Sequence, residues 1–213
     1  MKVRSHPDSA GLVTGKGIVN RAWVIQFIKL IVSLVFSLVL ASCLSNARAQ
    51  IPNEYQVKAA FLFNFAKFVE WPVEAFSHSD GKMPLIIGVM GNESFSKAIE
   101  SVIDGKTVSG RQLVIKRLKW GQNLRTCHIL YISSYEQRHL TQILESLKGS
   151  SILTVGEMDQ FTQQGGIINL LTEEDRVLFE VNLDVAEQAQ LKISSKLLTL
   201  AKTVRGKARA GKE

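Results

Sequence analysis

The chain has 213 residues, a composition typical of a globular protein, and a net charge of +7 with a pI near 9.5. Most of that charge lies in residues 1–49, which hold six of the 26 Lys and Arg but only one of the 19 Asp and Glu. Residues 50–213 therefore carry 20 basic and 18 acidic side chains, a net charge of +2. Apart from a short basic tail, 206–213, no stretch resembles a phosphate-binding stripe, so we expect no nucleic-acid partner.

Residues 1–49 have the pattern of an export signal. A basic head precedes the apolar stretch 30–41, which has the length of a signal-peptide core and is short for a membrane span. Ala47-Arg48-Ala49 then forms an A-x-A cleavage pattern that would leave Gln50 as the mature N-terminus. We therefore predict a signal peptide over 1–49, a domain over 50–205 and a periplasmic location.

A lipoprotein signal is the alternative. Leu40-Ala41-Ser42-Cys43 resembles a lipobox, in which cleavage after Ser42 would leave Cys43 lipidated at the new N-terminus. An uncleaved anchor is a third possibility. All three alternatives place the domain across the inner membrane.

The stretch EYQVKAAFLFNFAKFVEWP predicts a helix, capped by Asn53 and ended by Pro72. It carries two apolar rows, more than one ordinary core face needs, so the helix is either deeply buried or has one side against a partner. The residues predicted to form a partner or dimer surface are Phe61, Phe65, Phe68 and Trp71.

Strand-like and helix-like segments alternate along the following sequence. Strands are predicted at PLIIGVMG, RQLVIKRL, CHILYIS and SILTVG, helices at ESFSKAIESVI and YEQRHLTQILESLKG, and a closing helix at SSKLLTLAKTVRG. This order predicts an α/β fold: a single domain with a mixed β-sheet, helices packed on its faces, a C-terminal antiparallel hairpin and the closing helix.

The hairpin is predicted in GGIINLLTEEDRVLFEVN, residues 165–182. Its glycines precede a strand, whereas a phosphate-binding loop places them between a strand and a helix. A turn at Glu173-Glu174 would pair Leu170 with Val177 and give one apolar face. Gly165 and Gly166 indicate either a bend or a close approach to the backbone.

The second face of this hairpin carries the candidate ligand-binding residues Asn169, Arg176, Glu180 and Asn182. A guanidinium could pair with a carboxylate or phosphate of a ligand. The alternative is a solvated face on which Arg176 and Glu180 pair with each other, and the sequence leaves both possibilities open.

No catalytic or metal-binding motif is present. His78, His128 and His139 lack the spacing of a metal site, and no G-x-S-x-G occurs. His128 and Cys127 lie in an apolar strand, which favours a core histidine and a buried thiol. We expect no enzyme activity, no metal and no cofactor.

The order of these segments resembles the YfiR family of exported bacterial proteins. The resemblance runs from about Glu54 to Val204 and is most specific in the Phe-rich helix ending in Trp71-Pro72, in the Gly165-Gly166 pair and in the run Phe179-Glu180-Val181-Asn182. It implies a periplasmic α/β domain that forms a homodimer, represses a membrane-bound diguanylate cyclase by binding its periplasmic sensor domain, and so affects cyclic di-GMP and biofilm formation.

The resemblance also implies a small aromatic or nucleotide-like ligand. Family members with redox control use disulfides, whereas this chain has only Cys127, together with Cys43 if that residue is retained. The leading hypothesis is a non-enzymatic regulator that inhibits an inner-membrane signalling protein. The alternative is a periplasmic ligand-binding module that acts in sensing without a cyclase partner.

Overall fold

The structure is a computed structural model that describes residues 54–76 and 83–206, together with four helical residues nearer the N-terminus, Gln26, Lys29, Leu30 and Val32. The cleavage pattern, Cys43, the Asn53 cap, His78 and residues 207–213 lie outside the described residues. Residues 1–51 and 52–213 form two separate units, and the second carries the fold described below. No helix within the described residues is long and apolar enough to cross a bilayer.

The second unit has an α/β fold with a mixed sheet, as predicted. Its α-helices are α1 (Glu54–Phe68), α2 (Glu93–Ile103), α3 (Leu140–Leu147), α4 (Leu183–Gln188) and α5 (Ser195–Leu198). Its strands are β1 (Val69–Glu70), β2 (Leu85–Met90), β3 (Thr107–Val108), β4 (Arg111–Leu118), β5 (Ile129–Ile132), β6 (Leu153–Gly156), β7 (Ile168–Glu173), β8 (Arg176–Asn182), β9 (Lys192–Ile193) and β10 (Thr203–Arg205). Short 3-10 helices span Val73–Phe76, Leu124–Thr126 and Ser134–His139.

Eight of these strands form one sheet in the order β10-β8-β7-β6-β5-β2-β4-β3. Neighbouring strands are parallel except in the pairs β7–β8 and β3–β4. The chain runs from β2 to β4 on one side and then places β5 on the other side of β2, so the strand order reverses between β2 and β5. The small strands β1 and β9 pair separately, antiparallel.

The core lies on both faces of the sheet. Along β5, Ile129 and Tyr131 belong to the cluster beneath α1 and α2, whereas Leu130 and Ile132 belong to the cluster beneath α3. Successive side chains of a strand point to opposite faces, so a strand that is covered on both sides is apolar throughout. This explains why the sequence of β5 shows no alternation.

The predicted hairpin is present as β7 and β8, but in a different register. Leu170 pairs with Phe179 and Thr172 with Val177, and the turn is made by Glu174 and Asp175, both with positive φ, 46° and 61°. Positive φ at both central residues matches the twist of the two strands in a two-residue hairpin. The predicted turn at Glu173-Glu174 and the pair Leu170–Val177 are therefore wrong, although the same apolar face is buried.

The two glycines before the hairpin serve the two purposes that the sequence left open. Gly165 has φ +101°, where the chain turns into β7. Gly166 lies against the buried ring of Phe161, and a Cβ at this position would come within 2.1 Å of that ring. The prediction of a bend or a close approach is confirmed.

Two predicted helices lose their C-terminal residues to strands, and the helix predicted at YEQRHLTQILESLKG is α-helical only over Leu140–Leu147, after the 3-10 helix Ser134–His139. Helix α1 ends at Phe68, because Val69 and Glu70 leave the helix and pair with Ile193 and Lys192. The closing helix ends at Leu198, and the residues after it form β10, which pairs with β8 in parallel. In both places pairing with a distant strand outweighs local helical spacing.

Candidate functional site

The four predicted surface aromatics occupy different environments. Phe65 is completely buried, with its ring 5.3 Å from that of Phe179, so it lies in the core rather than on the surface. Phe61 packs on the same Phe179 ring at 5.5 Å and is half-buried, as is Phe68. The surface that this set can offer to a partner is therefore formed by Phe61, Phe68 and Trp71.

Trp71 lies on the wall of an open hollow of about 660 Å³, which we name the Trp71 groove. Its lining residues are Glu70, Trp71, Pro72, Val73, Glu187, Gln190, Leu191 and Lys192. The β1–β9 pairing brings these two distant segments together. Val73, which lines the same hollow, is 82% exposed.

His128 holds Trp71, one of the residues that line the groove, in place. Its Nδ1 accepts a hydrogen bond from Ile86 N at 3.0 Å, so Nε2 carries the proton and donates to Ala75 O at 3.3 Å. Its backbone carbonyl accepts from Trp71 Nε1 at 3.3 Å, and its ring stacks on Phe76 at 4.5 Å. We name these contacts the His128 latch.

Burial lowers the pKa of His128, and the nearby positive charge of Arg111 lowers it further. The hydrogen bond to Ala75 O acts in the opposite direction and does not outweigh them. The imidazole is therefore neutral at pH 7, as the pair of hydrogen bonds at its two nitrogens requires. The prediction of a satisfied core histidine is confirmed. The sequence did not show that this residue also holds Trp71 and Phe76.

The predicted ligand-binding residues lie along one face of the hairpin but are not gathered in one place. Arg176 stands beside the turn, highly exposed and 3.9 Å from Glu174. Glu180 lies four residues further along the strand, about 13 Å away at roughly 3.3 Å per residue. Asn169 is buried, and its Oδ1 accepts from Met158 N at 3.1 Å.

Asn182 is engaged at the end of the same strand. Its Oδ1 accepts from Val185 N at the start of α4, and its Nδ2 donates to Thr162 O at 2.8 Å. This is the role of a helix N-cap. Asn169 and Asn182 thus bond to the backbone of this protein, and a ligand at this face stays a prediction.

A buried ionic network, which the sequence does not predict, joins α1 to the sheet. Lys58, on α1, is 6% exposed, and its Nζ lies 2.6 Å from Glu54 and 2.8 Å from Glu157. Glu157 follows β6 and also accepts a hydrogen bond from Ser133 Oγ at 3.2 Å. Burial acts to lower the pKa of Lys58, but the bonds to Glu157 and Glu54 outweigh it and raise that pKa.

This network ties α1 to the carboxyl ends of β5 and β6, and Tyr131 lies beneath it. The phenol of Tyr131 is fully buried, and its Oη has no hydrogen-bond partner among the residues that the structure describes. Burial, followed by the negative charge of Glu157, raises its pKa. The only signal in the sequence was a lysine inside an apolar helix and an acid directly after a buried strand.

The Cys127 thiol is a further reactive group within the described residues. The Cys127 thiol is buried, donates to Leu124 O at 3.1 Å, and has its pKa raised by burial to about 12. The buried thiol was predicted. Among the described residues, no group of three or more His, Cys, Asp or Glu side chains could hold a metal ion.

Comparisons with known proteins place the chain in a family. Among solved structures, it is similar to a conserved domain protein from Vibrio cholerae O1 biovar eltor (TM-score 0.49, 11% identity), with 71% of this chain and 60% of that one covered. It is also similar to an ABC domain in complex with L-Trp from Streptococcus pneumonia (TM-score 0.43, 10% identity), with 56% and 55% covered. The chain thus spans less than two thirds of each of these structures. The YfiR/HmsC-like family model matches residues 55–202, nearly all of the described domain, and the chain therefore belongs to the YfiR/HmsC-like family.

Proposed function

We propose that the protein is an exported, non-enzymatic regulator that binds the periplasmic sensor domain of an inner-membrane diguanylate cyclase and inhibits it. Membership of the YfiR/HmsC-like family supports a role in signalling. The observation that carries the proposal on this chain is the Trp71 groove, a pre-formed surface that presents a tryptophan and a valine among polar side chains.

The groove has the composition of a protein-binding site. Its lining combines apolar side chains, among them Trp71, Val73 and Leu191, with two glutamates, a glutamine and a lysine. Protein interfaces combine apolar and polar side chains in this way, and a buried tryptophan often carries much of the binding energy. The His128 latch holds the indole in place, so little conformational freedom is lost when a partner binds.

Capture from membranes tests the proposal. The exported protein, tagged at its C-terminus, would be cross-linked to native membranes, purified and analysed by mass spectrometry. Val73→Asp places a charge in the groove at a highly exposed position, so the fold is expected to tolerate it. We expect wild type to capture a cyclase and Val73→Asp to lose it.

Tyr135→Asp is the matched control. Tyr135 is 73% exposed and follows β5, whereas the latch residue His128 precedes β5, so the two positions lie at opposite ends of the sheet. This variant should capture the cyclase as wild type does. If Val73→Asp captured the same proteins as both, the groove would not be the docking site.

A homodimer is part of the proposal, with the half-buried Phe61 and Phe68 as its contacts. Phe68 lies at the end of α1 beside the groove, and Lys67 extends over its ring at 5.8 Å. Sedimentation of wild type against Phe68→Asp should show a dimer in the first case and a monomer in the second. Equal masses for the two proteins would exclude this contact.

A small-ligand module is the second candidate, because the groove has the size of a ligand site. A thermal-shift screen with aromatic amino acids and nucleoside monophosphates would detect it, since a ligand that binds only the folded state raises the midpoint. A ligand in the groove should lose its effect in Val73→Asp, whereas one on the hairpin face should lose it in Arg176→Ala. No shift with any compound in wild type would count against both sites.

A further inference from the structure

A basic surface surrounds Trp120, on the loop that follows β4. Residues 105–135 contain six Lys and Arg and no Asp or Glu, whereas the rest of residues 50–213 holds 14 basic and 18 acidic side chains. The positive charge of the domain is thus concentrated in one stretch, which contains all of β4 and the loop after it. We name the exposed side chains Arg117, Lys119, Trp120, Arg125 and Arg138 the Trp120 surface.

Trp120 is held outward by a tight turn. Gln122 N donates to Lys119 O at 3.1 Å, and the Gln122 side chain accepts from Lys119 N at 2.9 Å. Gly121 follows the tryptophan with φ +88°, which favours glycine at the third position of such a turn. The indole stacks on the His139 ring at 5.5 Å and is still 40% exposed.

Two open hollows flank the indole. One, of about 620 Å³, is lined by Arg117, Lys119 and Arg138 among others, and the second, of about 250 Å³, is lined by Arg125. Trp120 belongs to both. The basic side chains therefore lie around a protruding aromatic ring rather than along a single groove.

Of the acids near this surface, Glu93 and Glu100 are each paired with a cation, whereas Glu136 contacts an imidazole, which is charged only when protonated. Glu93 pairs with Lys97 at 3.2 Å, Glu136 contacts His139 at 3.1 Å, and Glu100 pairs with Arg117 at 2.9 Å.

Three cations of the Trp120 surface have no carboxylate partner within the described part of the chain. They are Lys119, Arg125 and Arg138. Arg125 is held by the carbonyl oxygens of Ser146 and Lys148, which fixes its position but leaves its charge uncompensated. The surface therefore has a net positive charge at fixed positions.

We propose that the Trp120 surface binds the anionic headgroups of a phospholipid bilayer. An exposed tryptophan flanked by Lys and Arg suits the bilayer interface, where the indole enters the headgroup region and the cations bind lipid phosphates. A nucleic-acid groove would instead need a continuous basic track with stacked aromatics, and this surface offers one ring. The inference does not depend on the identity of the signalling partner.

Vesicle binding tests the inference. Protein from the exported fraction, whose intact mass defines its N-terminus, would be sedimented with vesicles of phosphatidylglycerol and phosphatidylcholine or of phosphatidylcholine alone. The readout is the difference between the two, because a retained N-terminal anchor would bind both equally. We expect binding that requires phosphatidylglycerol and weakens as salt is raised.

Two variants and one control locate the binding. Lys119→Glu should weaken binding to phosphatidylglycerol vesicles by on the order of tenfold, and Trp120→Ala by several-fold. Lys196→Glu makes the same charge change on α5, next to β10 at the opposite edge of the sheet, and should bind as wild type does. Equal binding to both vesicle types, or equal loss in Lys119→Glu and Lys196→Glu, would overturn the proposal.

Discussion

Replacing Gly166 with alanine tests the packing at the start of the hairpin. The ring of Phe161 is completely buried between two glycines, and a Cβ would approach it within 2.4 Å at Gly156 and 2.1 Å at Gly166. Ordinary van der Waals contacts of a carbon atom are about 3.5–4.0 Å. The alanine methyl group therefore cannot be accommodated unless the ring or the backbone moves.

The expected cost follows from this geometry. Overpacking a closed core costs about 1–3 kcal/mol, and the contact at Gly166 is short enough for the upper end, about 3 kcal/mol. In a domain of this size, that loss lowers the melting temperature by about 6–12 °C. Gly165→Ala meets no atom within 4 Å, so its cost, about 1 kcal/mol, arises from its positive φ alone.

A double-mutant cycle identifies the cause. Phe161→Ala removes the whole ring, including the Cδ1 and Cε1 atoms nearest to Gly166. In that background Gly166→Ala should cost less than about 1 kcal/mol, an interaction of roughly 2 kcal/mol. Urea denaturation of the four proteins measures these values. If Gly166→Ala cost the same free energy of unfolding with phenylalanine and with alanine at 161, steric contact with the ring would not explain it.

Three further predictions concern buried polar groups. Burial holds the pKa of His128 in the folded protein below its ordinary value of 6.5. The stability it contributes is therefore complete above pH 6.5 and is lost as pH falls from there through the folded-state pKa. His128→Asn should flatten the pH dependence of the free energy of unfolding below pH 6.5. Lys58→Met should cost about 3–5 kcal/mol because it leaves Glu157 buried without its cation, and a smaller loss in Lys58→Met/Glu157→Leu would confirm that cause. Cys127 should resist a thiol reagent at pH 8 in the folded protein and react at once in urea; rapid labelling without urea would show that the thiol is accessible.

The sequence predicted the central strands because they are long, apolar and covered on both faces. It could not predict the hairpin register, since TEED contains no Asn-Gly or Asp-Gly pair, and the turn forms where Glu174 and Asp175 both adopt positive φ. It also could not predict β10, because residues 203–205 continue a helical pattern and become a strand only by pairing with β8.

The candidate site was predictable only in part. Trp71 and Phe68 stood out as aromatic residues at the end of a helix. The second wall of the Trp71 groove lies more than 100 residues away, and two-residue strands bring it into place. The distribution of charge over 105–135 is visible in the sequence, but the exposure of Trp120 depends on the turn after β4.

The cellular concentration of cyclic di-GMP tests the central claim, that the protein inhibits a diguanylate cyclase through the Trp71 groove. The native host would be compared without the gene, and with the gene restored as wild type, Val73→Asp or Tyr135→Asp at equal exported levels. We expect cyclic di-GMP to rise on deletion, to return to normal with wild type and Tyr135→Asp, and to stay high with Val73→Asp. Unchanged cyclic di-GMP on deletion would contradict the proposed function, and full restoration by Val73→Asp would contradict the proposed site.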